Sequence, residues 1–466
     1  MRRLVDEVWR LFYFCSMLPP LSNKLIAHLD MNSYFASVEQ QANPFLRGKP
    51  IGVCAYLHQS GCVIAASIEA KKLGMKVGMT VEEARCRVPS AEFVENDPAK
   101  YRAVTSRVFS ILHELTDCVE HYSIDEAFLD LTGWYRDAAE AAWALTRVRQ
   151  RIKSEVGEWL RCSIGIAPTR FLAKTASDFE KPEGLTVIDP DNLDEILSQL
   201  DLEDVCGIGP RIRRRLERAG IMTLMELKKY PVANLMRLFG KNGFFLWCKV
   251  NGMECEKVLS PQYLVRSPQP KSIGHSYCVP ERVNRDGKVV AVLTRLTERA
   301  GRRMRREGLL AGRVSVAVNV LRPGSYVLGQ GMRPSMRPTQ DPGPRTQDFY
   351  SDFLHFSEPA SDSFTLVGTA CSLLQKIWHG ERVNFLAVTL SDFSTPSLQK
   401  ILPLKIRGTE GGYEINRRRL ISDAVDLVRD RYGDEAIMFG SMMGISHEAP
   451  DRIGFRKTDG VDISKI

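Results

Sequence analysis

The sequence predicts an α+β protein built from several domains, and three observations support this. The 466 residues suffice for about three domains of ordinary size. The 44% hydrophobic and 26% charged residues are typical of a folded globular chain. Up to residue 188, apolar runs and amphipathic stretches alternate in the order β-α-β-β-α-β, whereas residues 189–257 contain short helical patterns separated by glycines.

The first region predicts a ferredoxin-like domain, an antiparallel sheet backed by two helices. A short apolar run, 25–29, predicts a buried strand that ends at Asp30. The other predicted elements are a helix at 33–41, a helix at 98–115, two short strands within 119–131, a helix at 138–156 and a strand at 162–167. Between the first helix and the second lie strand-like runs within 51–66 and a short helix, 68–73, ended by Gly74.

Two further regions follow. Residues 189–257 predict a small helical domain, and the proline-containing stretch 258–270 predicts a linker. A second αβ domain is expected from the alternating runs 315–320 and 384–390, which predict strands. The proline-rich stretch 331–347 between them predicts an exposed loop, and 415–432 predicts an amphipathic helix.

Charge and cysteine content narrow the function classes. Sixty-four Lys and Arg against 56 Asp and Glu leave a net charge of +8, which makes nucleic acid the leading partner if the excess lies on one surface. The 11 cysteines show no Cys-x-x-Cys pair, which argues against a zinc site and favours reduced thiols in the cytoplasm. Residues 1–23 are interpreted as a dispensable extension or the result of an early start codon, with a signal peptide as the less favoured alternative, and no membrane span is predicted.

Three carboxylates are expected to meet at one edge of the first sheet. Asp30 ends a buried strand, and Asp125 and Glu126 lie in the turn of a neighbouring hairpin. Carboxylates this close repel one another unless divalent cations hold them, and hard oxygen ligands suit Mg²⁺. Ordinary structural roles remain open at this point, since Asp30 also fits a helix N-cap and acidic residues are common in solvated turns.

Two motifs around these carboxylates resemble a known family. Leu-Asp-Met-Asn-Ser-Tyr-Phe-Ala-Ser-Val-Glu at 29–39 and Tyr-Ser-Ile-Asp-Glu-Ala-Phe-Leu-Asp at 122–130 resemble the active-site motifs of Y-family translesion DNA polymerases, in the DNA polymerase IV (DinB) and UmuC branch. Further motifs in the family's order lie at 43–50, 69–74, 163–167, 179–184, 205–209 and 271–274. The resemblance covers about residues 24 to 393.

The resemblance implies a right-hand polymerase whose parts have the names used for that fold. They are an extension (1–23), a ferredoxin-like palm (24–33 and 97–188), small fingers (34–96), a helical thumb with a helix-hairpin-helix (189–257), a linker (258–270), an αβ little finger (271–393) and a C-terminal tail (394–466). The implied activity is DNA-directed DNA synthesis opposite damaged or undamaged template, with low fidelity and low processivity. Primer-template DNA and dNTPs are the implied partners, and the protein is expected to act as a monomer.

The resemblance also assigns catalytic residues. Asp30, Asp125 and Glu126 would be the catalytic ligands of two Mg²⁺ ions, and Met31 would add its backbone carbonyl. The primer 3′-hydroxyl would then attack the α-phosphate of the bound dNTP, and pyrophosphate would leave.

Nucleotide-binding residues are implied on the first helix and on two lysines. The turn 32–35 (Asn32, Ser33, Tyr34 and Phe35) opens a helix whose N–H groups would receive the triphosphate. Phe35 matches the family's steric-gate position, which excludes a ribose 2′-hydroxyl; otherwise it would be an ordinary core residue. Lys181 and Lys71 are the candidate phosphate ligands, although many members carry Arg at position 71 and Tyr at position 68. Solvated charge remains the simpler role for Lys71.

DNA and clamp contacts complete the implied site residues. Gly207, Gly209 and Arg211 fit a helix-hairpin-helix that binds DNA phosphates, with a plain turn as the alternative. Arg302, Arg303 and Arg305 belong to an arginine-rich run that would follow the DNA backbone, although such runs are usually solvated helix faces. The peptide 399–404, with Gln399, Leu402 and Leu404, resembles the clamp-binding peptide of bacterial polymerases; a loop packed on its own domain is the alternative.

Two other functions compete with the polymerase. One is a catalytically inactive, polymerase-like scaffold recruited to damaged DNA, which would be free to lose the three carboxylates. The other is a palm-fold nucleotide cyclase, which would need neither the helix-hairpin-helix nor a basic third domain. All three carboxylates and both further regions are present, so the sequence favours a polymerase.

Overall fold

The computed structural model describes residues 24–58, 61–254, 270–285, 287–322, 346–395, 410–445 and 449. The predicted extension 1–23, the candidate clamp peptide 399–404 with Gln399, Leu402 and Leu404, and most of the predicted linker and proline-rich loop lie outside these residues.

The chain begins with strand β1 (Ile26–Met31) and helix α1 (Tyr34–Ala42). A small inserted region follows, composed of β2 (Ile51–Cys54), β3 (Val63–Ala66), α2 (Ile68–Lys72), α3 (Val81–Arg87) and β4 (Glu92–Glu95). Its three strands form their own sheet in the order β3-β2-β4, in which β2 runs antiparallel to β3 and parallel to β4. Cys54 and Val63 of this sheet belong to a small core of the inserted region, whereas Ile51, Val53 and Ile64 belong to the core of the first domain.

The chain then returns to the sheet that contains β1. The next elements are α4 (Pro98–His113), β5 (Val119–His121), β6 (Glu126–Asp130), α5 (Ala138–Arg151), β7 (Cys162–Ala167), α6 (Arg170–Phe179) and β8 (Leu185–Val187). The strand order is β5-β6-β1-β7-β8, and β1 runs antiparallel to both of its neighbours. The predicted β-α-β-β-α-β succession is confirmed by β1, α4, β5, β6, α5 and β7. The predicted helix 138–156 is shorter, because α5 ends at Arg151 and Ile152–Val156 forms a wider π-type turn.

A third helix, α6, corrects the prediction of a sheet backed by two helices. Alternate residues of β1 belong to different cores: Leu29 packs with residues of α4 and α5, whereas Ile26 packs with residues of α6. Covering both faces explains why β1 reads as a continuous buried run instead of an alternating one. Close approach of α6 also depends on Gly165 in β7, where a Cβ would lie 2.1 Å from the carbonyl oxygen of Ala173.

Short helices make up the next region, as predicted. They are α7 (Leu193–Ser198), α8 (Pro210–Arg218), α9 (Leu224–Lys229), α10 (Val232–Phe239) and α11 (Lys241–Val250), with a 3₁₀ turn at Leu202–Asp204 between α7 and α8. Each helix contributes leucine or valine side chains to one core, including the fully buried Leu216 and Leu227. This core continues into the face of the first sheet that α6 covers.

The second αβ domain is a four-stranded antiparallel sheet with helices on one face. Its elements are β9 (Ser272–Cys278), α12 (Glu281–Arg285), α13 (Val289–Arg306), β10 (Leu310–Arg322), β11 (Thr346–Ala360), α14 (Ser363–Ile377) and β12 (Arg382–Ser394). The strand order is β11-β10-β12-β9. The predicted strands 315–320 and 384–390 are confirmed within β10 and β12, whereas the 15-residue strand β11 was not predicted.

A long helix, α15 (Glu410–Tyr432), and a 3₁₀ turn, Gly440–Met442, close the described part of the chain. The predicted helix at 415–432 is thus confirmed and begins five residues earlier. This C-terminal segment packs on α13 and α14 through Met442, Ile445 and a contact between the rings of Phe364 and Phe439. Within the part of the chain that the structure describes, no helix is both long and apolar enough to span a bilayer.

Candidate active site

The end of β1 brings the predicted carboxylates together. The register of β1 and β6 places Asp30 opposite Glu126, so both residues lie at the same end of the sheet. The Met31 N–H donates a hydrogen bond of 2.9 Å to the Asp125 carbonyl and ties the hairpin turn to β1. The backbone therefore brings all three carboxylate residues to the same end of the sheet.

A cleft of about 540 Å³ opens beside this end of the sheet. It is lined by Asp30, Met31, Asn32, Ser33, Tyr34, Phe35, Asp125 and Lys181 from the first domain, and by residues of the inserted region that include Ile64, Ile68, Lys71 and Lys72. The volume is typical of a site for a small organic ligand. Every predicted catalytic and nucleotide-binding residue except Glu126 lines this cleft.

Asp30 is a buried charge with one cationic partner in the cleft. Its side chain is only 10% exposed, and its Oδ2 accepts from the Lys181 ammonium at 2.9 Å. Burial, together with the charges of Glu126 and Asp125, raises the pKa of Asp30 to about 7, although Lys181 lowers it. Lys181 also binds Asp178 at 2.6 Å, and the two carboxylates raise the pKa of Lys181 although burial alone would lower it.

Asp125 and Glu126 have different surroundings. Burial raises the pKa of Asp125, although the Ser123 hydroxyl donates to its Oδ1. Glu126 accepts from the Lys174 ammonium at 2.8 Å, and the His28 Nε2 lies 3.6 Å from the same oxygen. Burial would raise the pKa of Glu126, but His28 and Lys174 together lower it below its ordinary value. Glu126 is therefore ionised and held on the α6 side of the sheet.

The three predicted carboxylates are consequently not arranged as a metal-binding cluster. Among the described residues, no group of three or more His, Cys, Asp or Glu side chains is arranged to hold a metal ion. Like charges repel, and each carboxylate has a different partner: Asp30 pairs with Lys181, Asp125 accepts from Ser123, and Glu126 pairs with Lys174. The donors nevertheless fit a hard divalent cation, since Asp30 and Asp125 are carboxylates of raised pKa that share one cleft.

Sequence reasoning missed Lys174 and His28. Lys174 lies on α6, and His28 lies two residues before Asp30 with its Nδ1 2.7 Å from the Ser177 hydroxyl. Burial lowers the pKa of His28 to about 4, so it is neutral at physiological pH. The available signal was the helical spacing of Lys174, Asp178 and Lys181, which places a cation, an anion and a cation on one side of α6 and its extension.

Asn32 and Tyr34, two predicted nucleotide-binding residues, use their side chains within the fold, and phosphate binding by the Tyr34 N–H remains a prediction. The Asn32 N–H donates to the Arg161 carbonyl at 2.7 Å, and its side-chain Oδ1 accepts from the Glu183 N–H at 2.9 Å. The Tyr34 ring is buried, and its hydroxyl donates to the Tyr101 carbonyl at 2.9 Å. These two side chains are therefore committed to intramolecular bonds, which local sequence could not reveal.

Ser33 and Phe35 match the predicted arrangement more closely. Ser33 has a φ of 48° and makes no side-chain cap, and it lines the cleft at the start of helix α1. Phe35 is half-buried at the cleft wall, where its ring stacks on Tyr101. Lys71 reaches the cleft from the inserted region; burial lowers its pKa, and the charge of Lys181 lowers it further.

The glycine turn before α8 is exposed and tightly formed. Gly207 has a φ of 105°, a conformation that favours glycine, and Gly209 is the N-cap of α8. Between them, Ile208 is buried in the core and anchors the turn, while Arg211 on the first turn of α8 is exposed. The turn presents backbone and a cation to solvent, as a phosphate-binding turn requires.

The arginine-rich run on α13 has a different role from the predicted one. Arg302 binds Asp430 at 2.5 Å and also binds Asp434, and Arg305 binds Asp426 at 2.7 Å. We call this contact between α13 and α15 the seam; its exposed edge also pairs Arg306 with Asp430, and its interior pairs Arg429 with Glu298. The assignment of Arg302 and Arg305 to DNA is thus contradicted by their pairing with helix α15; Arg303, half-buried beside them, remains a prediction.

The other face of the same sheet is open. The register places Arg313, Ser315 and Asn319 of β10 on the face opposite to α13, since Val314, Val316 and Val318 between them are fully buried. Directly opposite lie Thr389 and Ser391 of β12, and the Arg313 guanidinium lies over the Phe353 ring at 3.9 Å. This face of the sheet therefore presents Arg313 among small polar side chains.

Comparisons with known proteins agree with this arrangement. The model of the impB/mucB/samB family matches residues 29–178, and the model of that family's C-terminal domain matches residues 270–402. A DNA polymerase IV of Moorella thermoacetica is 33% identical over 411 residues, which cover 88% of this chain and 93% of the relative.

Solved structures give the same result. A Y-family DNA polymerase chimera superposes with a TM-score of 0.61 at 25% identity and covers 80% of this chain and 99% of its own. The insertion ternary complex of Dbh DNA polymerase has a TM-score of 0.50 at 25% identity, again over 80% of this chain and 99% of that chain.

Proposed function

This chain belongs to the impB/mucB/samB family of DinB-like, Y-family DNA polymerases, and from that membership we propose how its cleft synthesises DNA. It is a DNA-directed DNA polymerase of the translesion type. The proposal adds the substrates and the residue roles: the cleft binds a dNTP, the primer 3′-hydroxyl attacks its α-phosphate, and pyrophosphate leaves. The main supporting observation is that Asp30 and Asp125, two carboxylates with raised pKa values, line one cleft together with Lys181 and Phe35.

Asp30, Asp125 and Glu126, with the Met31 carbonyl, are the residues that would hold divalent cations, and we propose two Mg²⁺ ions. When bound, the cations would supply charge neutralisation at the attacking and leaving oxygens. The raised pKa values of Asp30 and Asp125 support this, because a buried acidic pair is stabilised by added positive charge. Glu126 is already ionised by its contacts with Lys174 and His28.

Lys181 would exchange partners during binding. It holds Asp30 and Asp178 from within the cleft, and its side chain is 36% exposed. A triphosphate entering the cleft offers oxygen acceptors to the same ammonium, which would release the Asp30 carboxylate for a cation. Lys71 and the N–H groups at the start of α1, around Ser33, face the same volume and would bind the remaining phosphate charge.

Phe35 would set sugar selectivity. Its ring forms part of the cleft wall next to Ser33 and Tyr34. A 2′-hydroxyl pressed against an aromatic ring that cannot move has no hydrogen-bond partner and no room, so ribonucleotides would be excluded. Low fidelity and low processivity are also proposed, from membership of the family.

DNA would be held by two surfaces. The glycine turn with Gly207, Gly209 and Arg211 is proposed to bind backbone phosphates without reading sequence. The open face of the β11-β10-β12-β9 sheet, with Arg313, replaces Arg302 and Arg305 as the proposed second surface. The peptide 399–404 remains a proposed sliding-clamp ligand, and deleting it should abolish stimulation by the clamp while leaving basal synthesis intact.

Primer extension tests the proposal directly. Wild-type protein with dNTPs and Mg²⁺ should extend a primer on a DNA template, and the Asp125→Ala, Glu126→Ala double variant should not. Binding of primer-template DNA by the double variant, measured by fluorescence anisotropy, should stay within about twofold of wild type, because the carboxylates are not phosphate ligands. Failure of the wild-type protein to extend any primer would favour the inactive scaffold.

A further inference from the structure

Phe35 does not stand alone at the cleft wall. Its ring is stacked on the ring of Tyr101, with centroids 4.5 Å apart and planes 20° from parallel. Tyr101 lies on α4, 66 positions along the chain, and is fully buried, whereas Phe35 is half-buried and faces the cleft. The side of the Phe35 ring away from the cleft is therefore covered by a second aromatic ring.

Tyr101 is itself fixed in place. Its hydroxyl donates to Glu39 Oε1 at 2.8 Å, and Glu39, which is 4% exposed, also accepts from the Lys100 ammonium at 2.8 Å. Burial raises the pKa of Tyr101 well above its ordinary value, and the charge of Glu39 raises it further, so the hydroxyl remains a donor at any working pH. Glu39 lies one helical turn after Phe35 on α1, which links the gate helix to α4.

The Tyr101 backbone is held as well. The Tyr34 hydroxyl donates to the Tyr101 carbonyl at 2.9 Å and lies 2.8 Å from the Thr105 hydroxyl. The Thr105 hydroxyl in turn donates to the Ile124 carbonyl at 2.7 Å, in the hairpin turn that carries Asp125. The support of the Phe35 ring is thus connected to the catalytic turn through a short chain of buried hydrogen bonds.

A steric gate works only if it does not yield. Exclusion of a 2′-hydroxyl is a repulsive effect, and such effects disappear when a side chain can retreat by a fraction of an ångström. We propose that Tyr101 is a specificity-determining positioning residue that holds Phe35 rigid against the sugar of the incoming nucleotide. This inference rests on the proposed function, since it requires Phe35 to be the gate.

The test is the ratio of kcat/KM for dCTP to kcat/KM for CTP in single-nucleotide primer extension. Tyr101→Leu, which removes the backing ring, should lower this ratio by about 10-fold or more while changing kcat/KM for dCTP by about threefold or less. Tyr101→Phe is the matched control: it keeps the ring and loses only the Glu39 hydrogen bond, so the ratio should change by about threefold at most. A merely structural role for Tyr101 would lower both kcat/KM values together and leave the ratio unchanged, which would overturn the inference.

Phe35→Ala separates the possible failures. If it leaves the ratio unchanged, Phe35 is not the gate and the proposed sugar selectivity is wrong. If it collapses the ratio while Tyr101→Leu does not, the gate stands and the inference about Tyr101 is wrong. Should Tyr101→Leu fail to fold, Tyr101→Met takes its place, since it also removes the backing ring; it should lower the ratio more than Lys49→Ala, which breaks an exposed pair with Glu92. An equal ratio in these two variants would also overturn the inference.

Discussion

The palm cleft and the seam between α13 and α15 both contain several charged side chains, but these charges are paired in the seam and incompletely paired in the cleft. In the seam, carboxylates and guanidinium groups satisfy one another: Asp426 faces Arg305, Asp430 faces Arg302 and Arg306, and Glu298 faces Arg429. In the cleft, Asp30 is buried and Asp125 is half-buried, both have raised pKa values, and Lys181 is the cation that faces Asp30.

The difference supports the proposal that the charges of the cleft, and not those of the seam, bind ligands. A fully paired cluster has no free charge to offer a ligand, and its contribution is to hold two helices together. A buried carboxylate whose pKa is raised costs folding free energy, and that cost is recovered only when a cation or a substrate binds. The carboxylates with raised pKa values therefore lie in the cleft, whereas the charges of the seam are paired, although the arginine run of the seam is the more obvious feature of the sequence.

The largest effect that tests the difference between cleft and seam is loss of catalysis when Asp30 is changed. Asp30→Asn keeps the volume of the side chain and removes its charge, so primer extension should fall by roughly 10,000-fold or more. Single-turnover primer extension with saturating dNTP measures this fall. The matched control is Asp178→Asn, since Asp178 binds the same Lys181 but does not line the cleft.

Asp178→Asn should retain synthesis to within about 10-fold of wild type. Equal losses in the two variants would mean that Asp30 acts only through Lys181 and has no role of its own. Retention of activity by Asp30→Asn would remove the cleft from the proposed mechanism.

The next effect concerns the interior of the seam. Arg429→Ala leaves Glu298 buried without its partner, with both side chains 6% exposed or less in the wild type. The free energy of unfolding of the C-terminal domain should drop by about 3–5 kcal/mol, which chemical denaturation can measure. Synthesis on a short primer-template at low temperature should be unchanged, because no seam residue lines the cleft.

Arg306→Ala gives the matched control at the exposed edge of the same seam. Its side chain is 59% exposed, so its removal should cost about 1 kcal/mol or less. If Arg429→Ala proves equally mild, the seam is not a structural contact and α15 is only loosely bound.

A smaller effect sharpens the comparison through pH. Without divalent cations, the folded-state pKa of Asp30 is about 7 against an ordinary 3.8, so the folded chain binds the proton more tightly than the unfolded chain between these values. The stability of the wild type should therefore fall as pH rises from 4 to 8, by up to about 4 kcal/mol from this group. Asp30→Asn should remove that slope, and thermal melting in EDTA at pH 5 and pH 8 measures it.

The seam should respond with the opposite sign. Hydrogen bonds from Arg302 and Arg306 lower the pKa of Asp430, so its stabilisation is present above its ordinary pKa and is lost as pH falls through the lower folded-state value. Asp430→Asn should consequently differ from wild type at neutral pH and converge with it in acid. A shared pH slope for the two variants would contradict the distinction between cleft and seam.

Much of the palm was predictable because its signals are local. The structure contains the predicted elements with bounds shifted by a few residues at most: the strand from the apolar run 25–29, the hairpin within 119–131 and the strand Cys162–Ala167. Asp30 and Asp125 were placed at one sheet edge by strand order, and β1 and β6 do pair in that way. Patterns of period two or 3.6 are written in consecutive residues, so they survive without knowledge of the partners.

The errors arose where a side chain's partner lies far away along the chain. Asn32 and Tyr34 stand within a motif, but Arg161, Glu183 and Tyr101 take up their polar groups. The strand β11 was missed because its polar and aromatic residues lie at a sheet edge, where burial does not impose a strong alternation.

The sequence by itself determined the family, the alternation of strands and helices in the palm, and the identity of the acidic and aromatic residues at the cleft. These follow from consecutive letters, because short-range periodicity and motifs need no distant contact. Tertiary structure alone decided that the arginines of α13 pair with Asp426 and Asp430 on α15 and with Asp434 just after it. It also decided that Lys174 binds Glu126 and that the Tyr101 ring stacks on Phe35. A run of arginines in the sequence indicates that they attract negative charge but does not identify their partners. Only the folded chain determines which carboxylates lie close enough to pair with them.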